Sequence, residues 1–339
     1  MYVTDTVPGI KRTRHGSGFS YQSAKGEIVR DKATLERIRS LAIPPAYERV
    51  WICPKANGHL QATGFDAKGR KQYRYHPKFR EVREESKFCK MIDFAKLLPT
   101  LRKRVDADLG KQGMPREKVL AAVVHLLEKS LIRIGNDEYA RDNKHYGLTT
   151  MLNRHAKVQG AEIKFKFMGK SGIQHEIDVH DRRLAKIVAK TQELPGQELF
   201  NYVDENGEWR DVTSADVNSY LKEISGSDFT AKDFRTWSAT VMALTELASR
   251  EIPATQRGGK MAVTEVMRSV SKVLGNTPAI CRKCYVHPAI VEAYLAGDLP
   301  NLMTKCAKAK RGSADEFAVA MLIEEASEAL SIRSRAYAA

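Results

Sequence analysis

The hydrophobic pattern of this chain changes period near residue 90, and that change constrains the fold more than any single motif. Before it, segments of extended character run from Gly18 to Ala24, Arg49 to Pro54, Leu60 to Phe65 and Gln72 to His76, separated by turn signals at Gly58, Asp66 and Gly69. Between the first two lies one helical stretch, Asp31 to Leu41, with Leu35, Ile38 and Leu41 on one face and Pro44 and Pro45 as its stop. The first ten residues read as a loose lead-in. The charged stretch Glu81 to Lys96 is the expected place of a domain boundary.

After the change, Arg116 to Ile132 sets Val119, Leu120, Val123, Leu127 and Leu131 on one helical face behind Pro115. Ile163, Phe165 and Phe167 alternate with Lys164 and Lys166, a Gly169 to Gly172 turn follows, and Ile173, His175, Ile177 and Val179 resume the alternation. That is a β-hairpin with Lys170 at its tip. Asp204 to Gly207 forms another turn signal, and helices are predicted from Ser214 and from Thr230, the latter capped by Asp233. Further helices are predicted over Lys260 to Leu274, Ala279 to Tyr285, Pro288 to Ala296 and Asp315 to Leu330. The fold class is α+β: a small, mostly antiparallel β domain over residues 1–90, then a larger, predominantly α-helical domain over 91–339 containing a β-hairpin.

Charge narrows the partners. The chain has 56 Lys and Arg against 41 Asp and Glu, a formal +15, of which +10 falls in the first 90 residues. Such an excess points to polyanions, with nucleic acid first, and is silent on fold. No stretch reaches the roughly 20 apolar residues of a membrane span, and the first residues lack a signal-peptide core. Five cysteines, at 53, 89, 281, 284 and 306, form an odd, irregular set suited to a reducing compartment, so a cytoplasmic protein is expected. Cys281 and Cys284 have metal-ligand spacing, but no second close pair completes a zinc site. No phosphate loop or dinucleotide fingerprint is present, and the scattered carboxylates form no two-metal signature. Chemistry at a phosphate then falls to cationic and amide side chains.

The motifs Leu131-Ile-Arg-Ile-Gly135, Glu138-Tyr-Ala-Arg141, Tyr146-Gly-Leu-Thr-Thr150, Phe167-Met-Gly-Lys-Ser-Gly172, Lys232-Asp-Phe-Arg235 and Leu274-Gly-Asn-Thr-Pro278, followed by Tyr285, occur in this order. In order and spacing the chain resembles the poxvirus-like, bacterial branch of the type IB DNA topoisomerases, a family distantly similar to the tyrosine recombinases. The resemblance implies an ATP-independent enzyme that nicks one strand of duplex DNA through a 3′-phosphotyrosine, lets the duplex swivel and reseals it. It implies Tyr285 as nucleophile, Arg133 and Arg235 as the grip on the non-bridging phosphate oxygens, Lys170 as the proton donor to the departing 5′ oxygen, and Lys232 as its assistant. Asn276 stands where the poxvirus pattern has histidine; its amide can donate a hydrogen bond but supplies no titratable proton. Tyr139 matches a DNA-contacting tyrosine, and Tyr73, Arg74, Tyr75 and His76 resemble the family element that enters the major groove.

The resemblance further implies a monomer acting on duplex DNA, with two lobes closing around it, no required cofactor and no obligate protein partner. Mg2+ is expected at most to stimulate, without joining the site, and a bacterial nucleoid is the expected location. Two other readings stand beside it. A tyrosine recombinase would use a related constellation, and a non-enzymatic DNA-binding protein would explain the charge while leaving the ordered Arg133, Lys170, Arg235 and Tyr285 set a coincidence. Each singled-out residue also has an ordinary use: a helical tyrosine packs, arginines coat a surface, Asn276 caps a helix, and residues 73–76 form a sheet stripe with one aromatic face packed.

Overall fold

The computed structural model describes residues 1–339 except 17, 68, 252–253, 308–312 and 339; the side chains of 80–87, 89, 138–139 and 329–338 also lie outside the described set. The chain divides into two compact units, Met1–Lys87 and Phe88–Ala339. The expected division was 90/91.

In the first unit, β1 (Ile10–His15), β2 (Gly18–Gln22), α1 (Lys32–Ser40), β3 (Glu48–Ile52), β4 (Leu60–Phe65) and β5 (Lys71–Tyr75) form one antiparallel sheet, in the order β2-β1-β3-β4-β5, together with one helix. The Asp31 side chain caps α1 by accepting from the Thr34 N–H at 2.8 Å. Ile10, Ile38, Val50, Ile52 and Ala62 make a small core. The loose lead-in ends in β1, whose run of basic residues hid its one buried member, Ile10. The stretch expected to be a boundary is helical throughout: α2 runs from Pro77 to Leu109. Its run of Glu, Lys and Arg is made of good helix formers, so high charge there did not mean a linker.

The second unit is built around α3 (Arg116–Ser130). Its residues 119 to 124 and Leu126 and Leu127 are all buried, so it is apolar nearly all round, where one apolar face was expected. After α4 (Asp137–Asn143), strands β6 (Ala156–Gln159), β7 (Glu162–Met168) and β8 (Gln174–His180) form an antiparallel sheet. The expected hairpin thus has a third strand. Ile163, Phe165 and Phe167 point inward while the intervening lysines face out.

Helix α5 (Arg182–Gln192), the short pair β9 (Asn201–Val203) and β10 (Trp209–Asp211), and α6 (Ser214–Ser225) follow, then α7 (Ala231–Ala248). Elements α5, α6, α7, β8 and β9 all pack on α3. The chain continues through α8 (Gln256–Leu274), α9 (Pro278–Cys284), α10 (Pro288–Ala296), α11 (Leu299–Ala307) and α12 (Ala314–Ala338). Among the described residues no helix is long and apolar enough to cross a membrane.

Because α3 is enclosed, truncating it leaves a cavity that its neighbours cannot fill. Leu127→Ala is expected to cost about 3 kcal/mol, read as a lowered urea midpoint with an unchanged m-value.

Candidate active site

The second unit gathers Arg133, Lys170, Lys232, Arg235 and Tyr285 around a single cleft of about 420 Å³. Ile134, Gly135, Asn136, His145, Tyr146 and Ala231 complete its lining. Asn276 lies beside it through Arg133. Five separate pieces of backbone deliver these groups, and each is held in place by a local device.

Arg133 follows the buried helix α3. Leu131 adopts the left-handed conformation at the helix end (φ 54°), turning the chain out of the core. The outgoing segment is pinned to the Tyr146-Gly-Leu-Thr-Thr150 motif: Leu148 N–H donates to the Arg133 carbonyl at 2.8 Å and Thr149 N–H to that of Ile134 at 2.7 Å. A side chain at Gly147 would begin 2.5 Å from the Arg133 carbonyl oxygen, so only glycine allows this approach.

Arg235 and Lys232 sit near the start of α7, where the Asp233 carboxylate accepts from the Thr230 N–H at 2.8 Å and the Thr230 hydroxyl at 2.9 Å. Three positions apart, the two cations play different parts: Lys232 is exposed, whereas Arg235 is only 4% exposed.

Both guanidiniums reach the C-terminal end of α8. Arg235 Nη2 donates to the Leu274 carbonyl at 2.8 Å. Arg133 Nη2 donates to the Gly275 carbonyl at 2.8 Å and to Asn276 Oδ1 at 2.6 Å. The end of a helix presents unpaired carbonyls and a partial negative charge, so it suits cations. Gly275 ends α8 in the left-handed conformation (φ 59°), which turns these acceptors toward the arginines.

The electrostatics are those of a site short of negative charge. Burial pushes the Arg133 guanidinium below its ordinary value. Burial, reinforced by repulsion from Arg133, pushes Arg235 down to about 10, with Tyr285 pulling the other way through charge and a side-chain hydrogen bond. Arg235 is therefore still cationic at neutral pH, and its guanidinium carbon lies 5.8 Å from the Tyr285 ring centre. The Asn276 Nδ2 is buried and has no hydrogen-bond partner. An unmade bond of that kind costs about 1–3 kcal/mol and is a natural donor to an incoming acceptor.

Tyr285 lies just past the end of α9, one residue beyond the helix that was expected to contain it. Its backbone is anchored: the buried Thr240 hydroxyl of α7 lies 3.0 Å from the Tyr285 carbonyl and accepts the His287 N–H at 3.2 Å. Lys170 stands exposed in a single 3-10 turn at the hairpin tip, in which Ser171 has φ 67°. The cleft residues His145 and Asn136 were missed by sequence reasoning. Their only signal was adjacency to the motifs around them, and the buried His145 Nδ1 has no hydrogen-bond partner.

The N-terminal contacts expected from the sequence belong to the other unit. Tyr73 and Tyr75 are 48% and 41% exposed on one face of the edge strand β5, with rings stacked at 6.2 Å. This reverses the sheet-stripe alternative, in which the aromatic side would be packed. Arg74 faces the other way and donates to the Ala42 carbonyl at 2.9 Å, while His76 Nδ1 accepts the Lys78 N–H at 3.2 Å. The Tyr139 side chain lies outside the described residues.

Residues 76–311 match the family model of the eukaryotic DNA topoisomerase I catalytic core, and residues 18–66 match that of the bacterial DNA topoisomerase IB N-terminal domain. The chain belongs to the type IB DNA topoisomerases. The DNA topoisomerase 1B of Acanthamoeba polyphaga mimivirus is 32% identical over 295 residues, covering 85% of this chain and 88% of the relative. DNA topoisomerase 1B of vaccinia virus and DNA topoisomerase I of monkeypox virus are each 24% identical over 291 residues, covering 82% of this chain and 88% of the relative. This topoisomerase is thus an enzyme whose substrate is DNA, and its N-terminal unit is of the bacterial kind.

Of the Cys281 and Cys284 pair, Cys281 belongs to the buried packing beside this site. Among the described residues no group of three or more His, Cys, Asp or Glu could hold a metal ion. Cys281 is buried, and burial pushes its thiol up to about 11 although both arginines oppose the shift. Iodoacetamide at pH 8 is therefore expected to spare Cys281 in the native topoisomerase and to label it after unfolding, as mapped by peptide mass spectrometry.

Proposed function

We propose that this topoisomerase relaxes supercoiled duplex DNA without ATP, by transient cleavage of one strand through a 3′-phosphotyrosine at Tyr285 and religation. The observation that carries the reading is the convergence of Tyr285, the buried Arg235, the half-buried Arg133 and two lysines on one cleft. A free phenol is ionised to only about one part in a thousand at neutral pH, a shortfall of about 4 kcal/mol. Cations at the phosphate and removal of the proton during attack offset it.

In the cleavage step the Tyr285 phenol gives up its proton to solvent water and its oxygen bonds to phosphorus as the bond from phosphorus to the 5′ oxygen breaks. Arg133 and Arg235 hold the non-bridging oxygens, where planar guanidiniums follow the change toward a five-coordinate transition state. Asn276 adds a neutral donor through its unpartnered amide. The departing alkoxide is a poor leaving group, so Lys170 protonates it, assisted by Lys232. The reverse sequence reseals the strand. Bond energy is conserved in the phosphotyrosine, so no nucleotide is consumed, and superhelical tension drives rotation between the two steps.

The enzyme acts as a monomer that clamps duplex DNA, requires no cofactor and works in the bacterial cytoplasm at the nucleoid; Mg2+ affects binding or release rather than chemistry. The basic first unit contributes backbone contacts, with Tyr73, Arg74, Tyr75 and His76 at the DNA, and Tyr139 of the second unit is a further contact. Affinity is expected to fall steeply with salt, as for any protein that releases counterions from phosphates.

Two measurements test the reading. Wild-type protein is expected to relax positively and negatively supercoiled plasmid without ATP, and Tyr285→Phe to abolish both relaxation and the DNA-linked tyrosine while leaving duplex binding intact. A DNA-protein adduct that survives in Tyr285→Phe would reject the assignment. Asn276→Ala is expected to slow single-turnover cleavage and religation about tenfold, less than the roughly 10²–10³ typical of a principal oxyanion donor. Unchanged rates would remove Asn276 from the site.

A further inference from the structure

His175 has no part in the chemistry above, yet it touches both halves of the catalytic cluster. It pairs with Phe167 across the hairpin, and the two rings stack at 5.1 Å with 17° between their planes. At Gly169, the residue before Lys170, a Cβ would lie 2.5 Å from His175 Cδ2. At Gly275, a Cβ would lie 2.6 Å from His175 Cε1 and 3.4 Å from Arg133 Nη1. Neither approach tolerates a side chain. One ring thus fills the space between the base of the lysine-bearing tip and the turn whose carbonyl and Asn276 orient Arg133.

We propose that His175 is a positioning residue that wedges the Lys170 tip against the Gly275 turn. Lys170 is thereby registered on the 5′ oxygen of a phosphate held by Arg133 and Arg235. The inference rests on the proposed role of Lys170 as the acid. A small cavity beside the ring is lined by Arg133, Lys170 and Arg235, with Tyr146 as the other ionisable group, and Cys281 lies close to the two arginines. No carboxylate is among the described residues lining it. Burial first, and then the two guanidiniums, hold the His175 pKa below its ordinary 6.5. The neutral ring is therefore the resident form at pH 7, and acidification forces a further cation into a space that already holds two.

The test exploits the leaving group. In ordinary DNA the bond from phosphorus to the 5′ oxygen breaks as Tyr285 attacks, and the proton from Lys170 Nζ goes to that oxygen. With a bridging sulfur at the 5′ position, the bond from phosphorus to sulfur breaks and a thiolate departs without protonation. Single-turnover cleavage of paired oxygen and 5′-bridging phosphorothiolate duplexes is measured for wild type, Lys170→Ala and His175→Ala.

His175→Ala is expected to be slowed about tenfold on the oxygen duplex, less than the roughly 10²–10⁴ that loss of the general acid itself costs, and to recover most of that loss on the sulfur duplex. Equal slowing on both duplexes, with Lys170→Ala rescued by sulfur, means that His175 acts only through general stability and overturns the proposal. Failure of sulfur to rescue Lys170→Ala overturns the assignment of Lys170, and this proposal with it. The wild-type enzyme provides a check that needs no variant. Its sulfur-to-oxygen rate ratio is expected to rise once acidification protonates the ring, at a lower pH than a free imidazole requires, and a ratio that stays flat down to the pH at which the enzyme unfolds overturns the wedge.

Discussion

Two guanidiniums of like charge occupy one buried space, and the end of a single helix makes that possible. The last carbonyls of α8 and the Asn276 side chain hold Arg235 and Arg133 in an environment that water would otherwise have to screen. Desolvation and mutual repulsion lower the affinity of Arg235 for its own proton. A site in this condition is complementary to a phosphodiester, whose two non-bridging oxygens answer the deficit. Preorganised cations of this kind need little rearrangement as charge develops, which is the property that makes electrostatic catalysis effective.

The rest of the second unit holds this pair in place. Helix α3 is enclosed by α5, α6, α7, β8 and β9 and ends in a left-handed residue that sends Arg133 outward. The glycine-bearing turn after α4 accepts that outgoing segment edge-on, and Tyr146 at its start donates its N–H to the Met168 carbonyl of β7 at 2.8 Å. The same turn therefore grips both the arginine segment and the strand leading to Lys170. Motifs far apart in the chain are near one another because each is a fastening for its neighbour.

Much of this was legible in the sequence, for definite reasons. Alternation in β7 and β8 survives because one face packs and the other is wet, and the Thr230 and Asp233 pair marks the start of α7 without tertiary help. The six residues proposed as catalytic stand out in the sequence only as a set, through motif order; Asn276 alone reads as a helix cap. What stayed hidden depends on contacts distant in sequence. The all-round burial of α3 needs knowledge of its neighbours, β1 shows one buried residue among charges, and α2 is a helix whose charge resembles a linker. His175 looked like one more inward strand residue until Gly169 and Gly275 were seen against its ring.

The anchoring of Tyr285 bears on what happens while the DNA turns. In the proposed cycle, a strand joined to that phenol pulls, through one side chain, on the backbone just beyond the short helix α9. That backbone is tied by Thr240 to α7, the helix that carries Arg235, and the two following residues, Val286 and His287, are buried. Torque on the covalent intermediate is thus passed into the core of the unit rather than into a loose chain end. Arg235, proposed to meet the phosphate again at resealing, is carried by that same helix.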